Sequence, residues 1–153
     1  MAIKTSTSTV IVDKDYIHPS FDYTAGQDGA FLAKINGTGG TGAGVNDNFG
    51  HSVAVGSGRI VVGADGDDDN GLPSSGSAYI FDLDGNFINK INGAHGTGAA
   101  ASDFFGNAVT VGSGRIVVGA YGDDDNGSTS GSAYIFTIPN VVTVYDHKDR
   151  QYG

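Results

Sequence analysis

Two acidic stretches, Asp65 to Asn70 and Asp123 to Asn126, are where residue type and spacing in this sequence suggest chemistry. Calcium takes roughly six to eight oxygen ligands, and alternate carboxylates such as Asp65, Asp67 and Asp69 can turn toward one ion. The second stretch adds Asp123 and Asp125, so these five aspartates are the candidate metal ligands and calcium the candidate cofactor. The competing reading is a solvated loop in which Asp-Asn-Gly makes the turn. Two observations favour that second reading: the Gly stands one place later than calcium-loop spacing asks, and Tyr121 occupies the place of Asp65 in the second stretch.

Other residues with chemical potential form no constellation. The glycine-rich segments at Gly37 to Gly44 and Gly93 to Gly98 lack the Lys-Ser/Thr and the strand-to-helix setting of a phosphate cradle, and read as connections. His18, His51, His95 and His147 do not recur, since His51 aligns with Asn107 and His95 with Gly39, and no nucleophile, base and orienter triad is suggested by spacing. Surface or interface roles are expected for them. Arg59 and Arg115 do recur, as do the aromatic pairs Tyr79-Phe81 and Tyr134-Phe136. The arginines are expected to pair with aspartates, and the aromatics to fill a layer between sheets.

Composition bounds the elements that position these residues. The chain has 153 residues and 26 glycines, and its 17 acidic residues are all aspartate. β-branched and aromatic residues punctuated by Gly, Asn, Asp and Ser suit short strands and tight turns. A net charge of −9 with eight scattered Lys and Arg argues against nucleic acid and anionic membranes as partners. Without cysteine there is neither a disulfide nor a thiolate. Met1-Ala2-Ile3-Lys4 and the Ser/Thr run that follows hold no apolar secretory core, and no stretch is long enough for a membrane helix. Synthesis in a cytoplasm without a signal peptide, and no membrane insertion, are the expectations.

Self-similarity then organises the chain. VGSGRIVVGA occurs at Val55 to Ala64 and at Val111 to Ala120, GSAYIF at Gly76 to Phe81 and Gly131 to Phe136, and DDDNG at Asp67 to Gly71 and Asp123 to Gly127. A D-G-x-F…K-I-N-G element spans Asp28 to Gly37 and Asp84 to Gly93. The offset is about 56 residues, with a one-residue slip at the second GSAYIF. In the full unit, strands are expected at about His51 to Val55, Arg59 to Ala64, Ser77 to Asp82 and Asn86 to Ile91. Gly56-Ser57-Gly58 and Asp84-Gly85 suit hairpin turns. The unit is therefore an antiparallel meander of four strands, and its poorly alternating Ile-Val-Val runs suit strands packed on both faces.

Such a unit has the form of a propeller blade, which cannot bury both faces alone. The predicted fold class is all-β, with about two to two and a half tandem four-stranded blades. Asp28 to Gly37 supplies the end of an earlier unit, with a strand near Phe21 to Thr24, and Val141 to Tyr145 a diverged last strand. That count is too small for a closed ring, so protomers are expected to complete one together, a trimer giving about six blades.

Phe49-Gly50 and Phe105-Gly106, followed by Val61-Val62-Gly63-Ala64 and Val117-Val118-Gly119-Ala120, resemble the FG-GAP repeat over roughly residues 28 to 137. That family builds the propeller of integrin α-subunits and occurs in bacterial and phage proteins, so the resemblance implies a propeller-like adhesion scaffold. Asp65 and Tyr121 replace the proline of Gly-Ala-Pro, and short turns at Gly56 to Gly58 and Gly112 to Gly114 stand where calcium-binding members carry D-x-D-x-D-G. The family's metal ligands are therefore not carried over. The opening MAIKTSTSTVIVD is similar to the starts of tailed-phage structural proteins, marine ones especially.

The resulting expectation is a non-enzymatic virion protein of the tail, fibre or capsid surface. It comprises an anchoring segment at 1–20, blades at 21–145 and a tail at 146–153. Interface residues are expected at Ile3, Val10, Ile11, Val141, Val142 and Tyr145. Its partners are copies of itself and other virion proteins. The alternative is an adhesion module that binds calcium or a cell-surface glycan.

Overall fold

The computed structural model describes residues 29–37, 44–68, 71–95 and 99–139. Residues 1–32 and 33–153 form separate compact units, and both repeats belong to the second. Of the first, residues 29–32 are described, with Phe31 and Leu32 exposed. The expected interface residues Ile3, Val10, Ile11, Val141, Val142 and Tyr145, the strands near Phe21 to Thr24 and at Val141 to Tyr145, and Asp69 all lie outside the described residues.

Among the described residues, seven strands form two antiparallel sheets. β1 (Ser52–Gly56), β2 (Arg59–Ala64), β3 (Ser77–Phe81) and β4 (Phe87–Asn92) make a four-stranded meander, and β5 (Ala108–Gly112), β6 (Arg115–Ala120) and β7 (Ser132–Thr137) a three-stranded one. Among the described residues there is no α-helix, only a 3-10 turn at Gly93–His95, and no helix is long and apolar enough to cross a membrane. All four strands expected in the full unit are present to within about one residue at each end. The segment at Asp28 to Gly37 differs, because its described part, residues 29–37, holds no strand. Ile35 instead packs beside Val62, Tyr79 and Phe81.

Local chemistry sets the hairpins. Ser57 and Gly58, and likewise Ser113 and Gly114, have positive φ and join Gly56 to Arg59 and Gly112 to Arg115. Two left-handed residues twist the turn in the sense of the flanking strands. Between β3 and β4 the Asp82 carboxylate accepts the Asp84 and Asn86 backbone N–H groups and the Asn86 side chain. The register then shifts between Ile80, opposite Asn89, and Phe81, opposite Phe87. That bulge at Ile88 decides which face Phe87 covers: in strict alternation it would share a face with Ile91, whereas here it joins Phe81.

The two sheets stack as successive blades. The face of the first carrying Val61, Ala78 and Ile80 meets the face of the second carrying Phe105, Ile116 and Val118, and all six are fully buried. The opposite face of the first sheet collects Val62, Ala64, Tyr79 and Phe81, with Phe49 and Phe87 edge-on to the buried rings. Hence β3 is buried along its whole length, as expected for two-sided packing, while the homologous β7 alternates between half-buried and exposed.

Glycines bring the blade backbones into contact. Gly50 and Gly106 have positive φ, and each donates its N–H to the carbonyl of the Gly-Ala glycine in its own blade, Gly63 or Gly119, at 3.0 Å. That turn of the second blade lies against the first. A β-carbon on Gly63 would stand 1.9 Å from the Gly106 carbonyl oxygen, and one on Gly76 2.1 Å from that of Phe105. Backbone hydrogen bonds from Phe104 to Ser74 and from Phe105 to Ser75, both 3.0 Å, close the same seam, and the Ser52 hydroxyl donates to the Gly106 carbonyl at 2.6 Å. Gly63→Ala is expected to cost about 3 kcal/mol in denaturant unfolding, because the added carbon would meet the backbone of Gly106 and the Ser52 hydroxyl. An unchanged midpoint would show that the seam yields.

Candidate functional site

The acidic loops follow β2 and β6, differ in length by one residue, and share backbone hydrogen bonds at corresponding positions. Asp67 and Asp123 accept the N–H of Gly76 and Gly131, at 2.9 and 2.8 Å, which returns each loop to its next strand. The Asp68 and Asp124 carbonyls accept the N–H of Gly71 and Gly127, and in the second copy Asp125-Asn126-Gly127 makes the turn.

Of the candidate ligands, Asp65 and Asp67 take different partners. Asp65 lies at the seam between blades, where it accepts the Asn48 amide at 3.1 Å and the Asn107 amide at 3.3 Å, with His51 Nδ1 3.5 Å away. Asp67 is fully buried on the other face of β2, where Tyr79 donates its hydroxyl to Oδ2 at 2.8 Å and Lys90 Nζ sits 2.7 Å from the same oxygen. The ammonium also stands 4.8 Å above the Tyr79 ring. Carboxylate, phenol and ammonium thus tie the loop, β3 and β4 into one polar knot inside an aromatic box. Asp69 lies outside the described residues.

In the second copy Tyr134 donates to Asp123 Oδ2 at 2.8 Å, and the Asp125 N–H to Oδ1 at 3.1 Å. Asp123 is buried, whereas Asp125 is exposed. Among the described residues no group of three or more His, Asp or Glu side chains converges as a metal site. Tyr121, in the place of Asp65, stacks on Phe104, which occupies the place of Asn48, with centroids 4.9 Å apart. The copies have therefore exchanged a hydrogen-bonded pair for a stacked one at the same two positions.

Two buried acids were not among the sequence candidates. Asp47 accepts the N–H of Gly44, and Asp103 that of Ala100 at 2.6 Å. Their signal was recurrence, an aspartate two places before each Phe-Gly. The arginines also depart from expectation. Instead of an aspartate, Arg59 bonds the carbonyls of Gly58 and, across the seam, Pro139, both at 2.7 Å, because a guanidinium at that hairpin faces backbone. Arg115 donates to the Gly114 carbonyl. Tyr79 and Tyr134 sit in the aromatic layers as expected, with their hydroxyls turned to the acids.

Burial shapes the ionisation of these groups. It raises both Tyr79 and Tyr134 well above the usual phenol value, and each is raised further by its bond to Asp67 or Asp123 and by nearby carboxylate charge. For Asp123 the upward push of burial is outweighed by bonds from the Asp125 N–H, Tyr134 and Ser132, and its carboxyl is lowered. Asp103 is raised, first by burial and then by the charges of Asp123, Asp124 and Asp125, against the bond from Ala100.

Removing one member of a buried ion pair strands the other. Lys90→Met is therefore expected to lose about 3 kcal/mol in urea unfolding, with much of it restored by adding Asp67→Asn. Asp103 has the opposite sign. A carboxyl raised on folding contributes stability below its unfolded value and loses it as pH rises through the folded one. Asp103→Asn, which keeps an acceptor and removes the charge, is expected to be more stable than the parent at pH 7, with the difference closing toward pH 3.5. Melts across that range check it, and a difference independent of pH would refute the cause.

The FG-GAP repeat family matches residues 40–81 and 95–136, which together are more than half of the chain. No curated protein matches it. The two matched stretches contain the Phe-Gly turns, the Gly-Ala strands and the Ser-Ala-Tyr-Ile-Phe strands just described. The chain belongs to the FG-GAP repeat family.

Proposed function

We propose that this propeller-like module is a non-enzymatic structural protein that works by stacking blades, and that its setting is a tailed-phage particle, as part of a tail, fibre or capsid surface. The observation that carries the structural reading is how the two buried loop acids are used. Asp67 is held by Tyr79 and Lys90, and Asp123 by Tyr134, so each carboxylate fastens a loop to its own sheet. A general acid, general base or metal ligand needs an oxygen turned toward substrate or ion, and these oxygens are turned inward. The particle setting is supported by the opening MAIKTSTSTVIVD and its similarity to phage structural proteins.

Peptides of this chain are expected in gradient-purified particles at constant stoichiometry to the major capsid protein. Their absence from washed particles would sink the virion setting. A calcium titration followed by thermal melting separates this reading from a metal-dependent adhesion module. The structural reading expects a midpoint within about 1 °C of the calcium-free one, whereas saturating a tight site shifts it by several degrees.

A further inference from the structure

The seam inside the chain shows what each face of a blade packs against, and the same two faces recur, partly uncovered, on the outer sides of the two blades. At the seam Val61, Ala78 and Ile80 of the first blade are fully buried against the second. Their repeat mates on the second blade are Val117, Ala133 and Ile135, of which Ile135 is 69% exposed. Val109 and Val111 pack into the seam, and their mates on the first blade, Val53 and Val55, are 68% and 71% exposed. Likewise Phe105 and Ile116 are buried in the seam, while Phe49 and Ile60 are half-buried. One end thus repeats one side of an interface that this sequence already makes, and the other end repeats the other side.

Glycine supplies a second and independent argument. A β-carbon on Gly56 would meet the Val111 carbonyl oxygen at 2.6 Å, and one on Gly63 the Gly106 oxygen at 1.9 Å, so the seam requires both. Their mates on the second blade are Gly112, with nothing within 4 Å, and Gly119, whose nearest contact is Ala108 of its own sheet at 3.5 Å. Neither has positive φ. Inside a strand, glycine without a local need weakens the strand and marks a site of close backbone approach. Charge agrees. Arg59 reaches across the seam to Pro139, and the repeat mate of Pro139 is Asp84, so the exposed Arg115 has an exposed carboxylate as its counterpart on the other end.

We propose that the exposed face of the second blade, centred on Gly119, Ala133 and Ile135, docks the Phe49-Gly50 turn and the Val53–Val55 face of a second copy of this chain, head to tail. The proposal rests on the stacking role proposed above and names its partner. The contact is heterologous, so each added copy presents a fresh end, and the rotation per blade decides where the assembly closes.

Sedimentation velocity of the full chain over a range of concentrations tests it. The parent is expected to associate. Gly119→Ala is expected to weaken association at least tenfold with its circular dichroism unchanged, since a β-carbon there meets only ordinary contacts within the protomer. Val53→Asp, at the other end and already exposed, is expected to do the same. An equimolar mixture of the two variants is expected to stop at one-to-one dimers, because each retains the end the other lacks. A parent that stays monomeric, variants that associate as tightly as the parent, or a mixture that fails to pair would each overturn the proposal. Absence from particles would sink the virion setting and leave this contact standing, whereas a monomeric parent found in particles would do the reverse.

Discussion

Where the second blade meets the first, backbone lies on backbone. Gly63, Gly76 and Gly106 have no side chains to hold the sheets apart, and a single methyl group at any of them would fall about 2 Å from a carbonyl oxygen. That approach lets Phe105 reach full burial and lets the N–H groups of Phe104 and Phe105 bond Ser74 and Ser75. It also explains why Phe-Gly and Gly-Ala occur together in each repeat. The Phe-Gly glycine bonds the Gly-Ala carbonyl of its own blade, and in the second blade it presses on the strand of the blade before. A single spacing thus serves the hydrogen bonding within a blade and the contact between blades.

With the sheets this close, their polar loops have to be satisfied from within. Burying the Asp67 carboxylate would cost several kcal/mol without partners, and here a phenol and an ammonium meet it. The tyrosine of each Ser-Ala-Tyr-Ile-Phe strand therefore has two physical roles. Its ring belongs to the aromatic layer, and its hydroxyl fixes the acidic loop that returns to the same strand. A loop that looked like a metal site by composition is in this respect a structural clasp between neighbouring strands.

Strand positions and hairpins were legible because turn chemistry is local. Ser57-Gly58 and the apolar runs beside it carry their own instructions. The bulge at Ile88 was not, because Phe87 and Ile91 read as one face until the aromatic box on the other side is known. The roles of Lys90 and Asp47 were hidden for a similar reason. Each acts on a residue brought near by sheet pairing or loop closure, and nothing in its own neighbourhood announces that. Segment 29–37 holds no strand although its Lys-Ile-Asn-Gly repeats that of β4, so the motif alone does not make a strand. Burial was the least legible property of all. Ser-Ala-Tyr-Ile-Phe is wholly buried in β3 and alternates in β7, so the same five residues report their place in the stack and not their own preference.

The differences between the two copies follow the same logic. In the first blade Ser52 and Asp65 hydrogen-bond to the second, through the Gly106 carbonyl and the Asn107 amide. In the second blade those positions are Ala108 and Tyr121, and Tyr121 turns to its own loop and stacks on Phe104. The apolar residues and glycines of the docking face are retained, while the hydrogen bonds made from the Ser52 and Asp65 positions are lost. Each such bond contributes about 1 kcal/mol net, and a buried partner left unmet costs more. A blade whose outer face is wet before it finds a partner gains nothing from buried polar groups that must wait for one. Apolar side chains and bare glycine tolerate both states. The contact proposed between copies is accordingly weaker than the seam within a chain, which is the ordering expected if protomers fold first and stack afterwards.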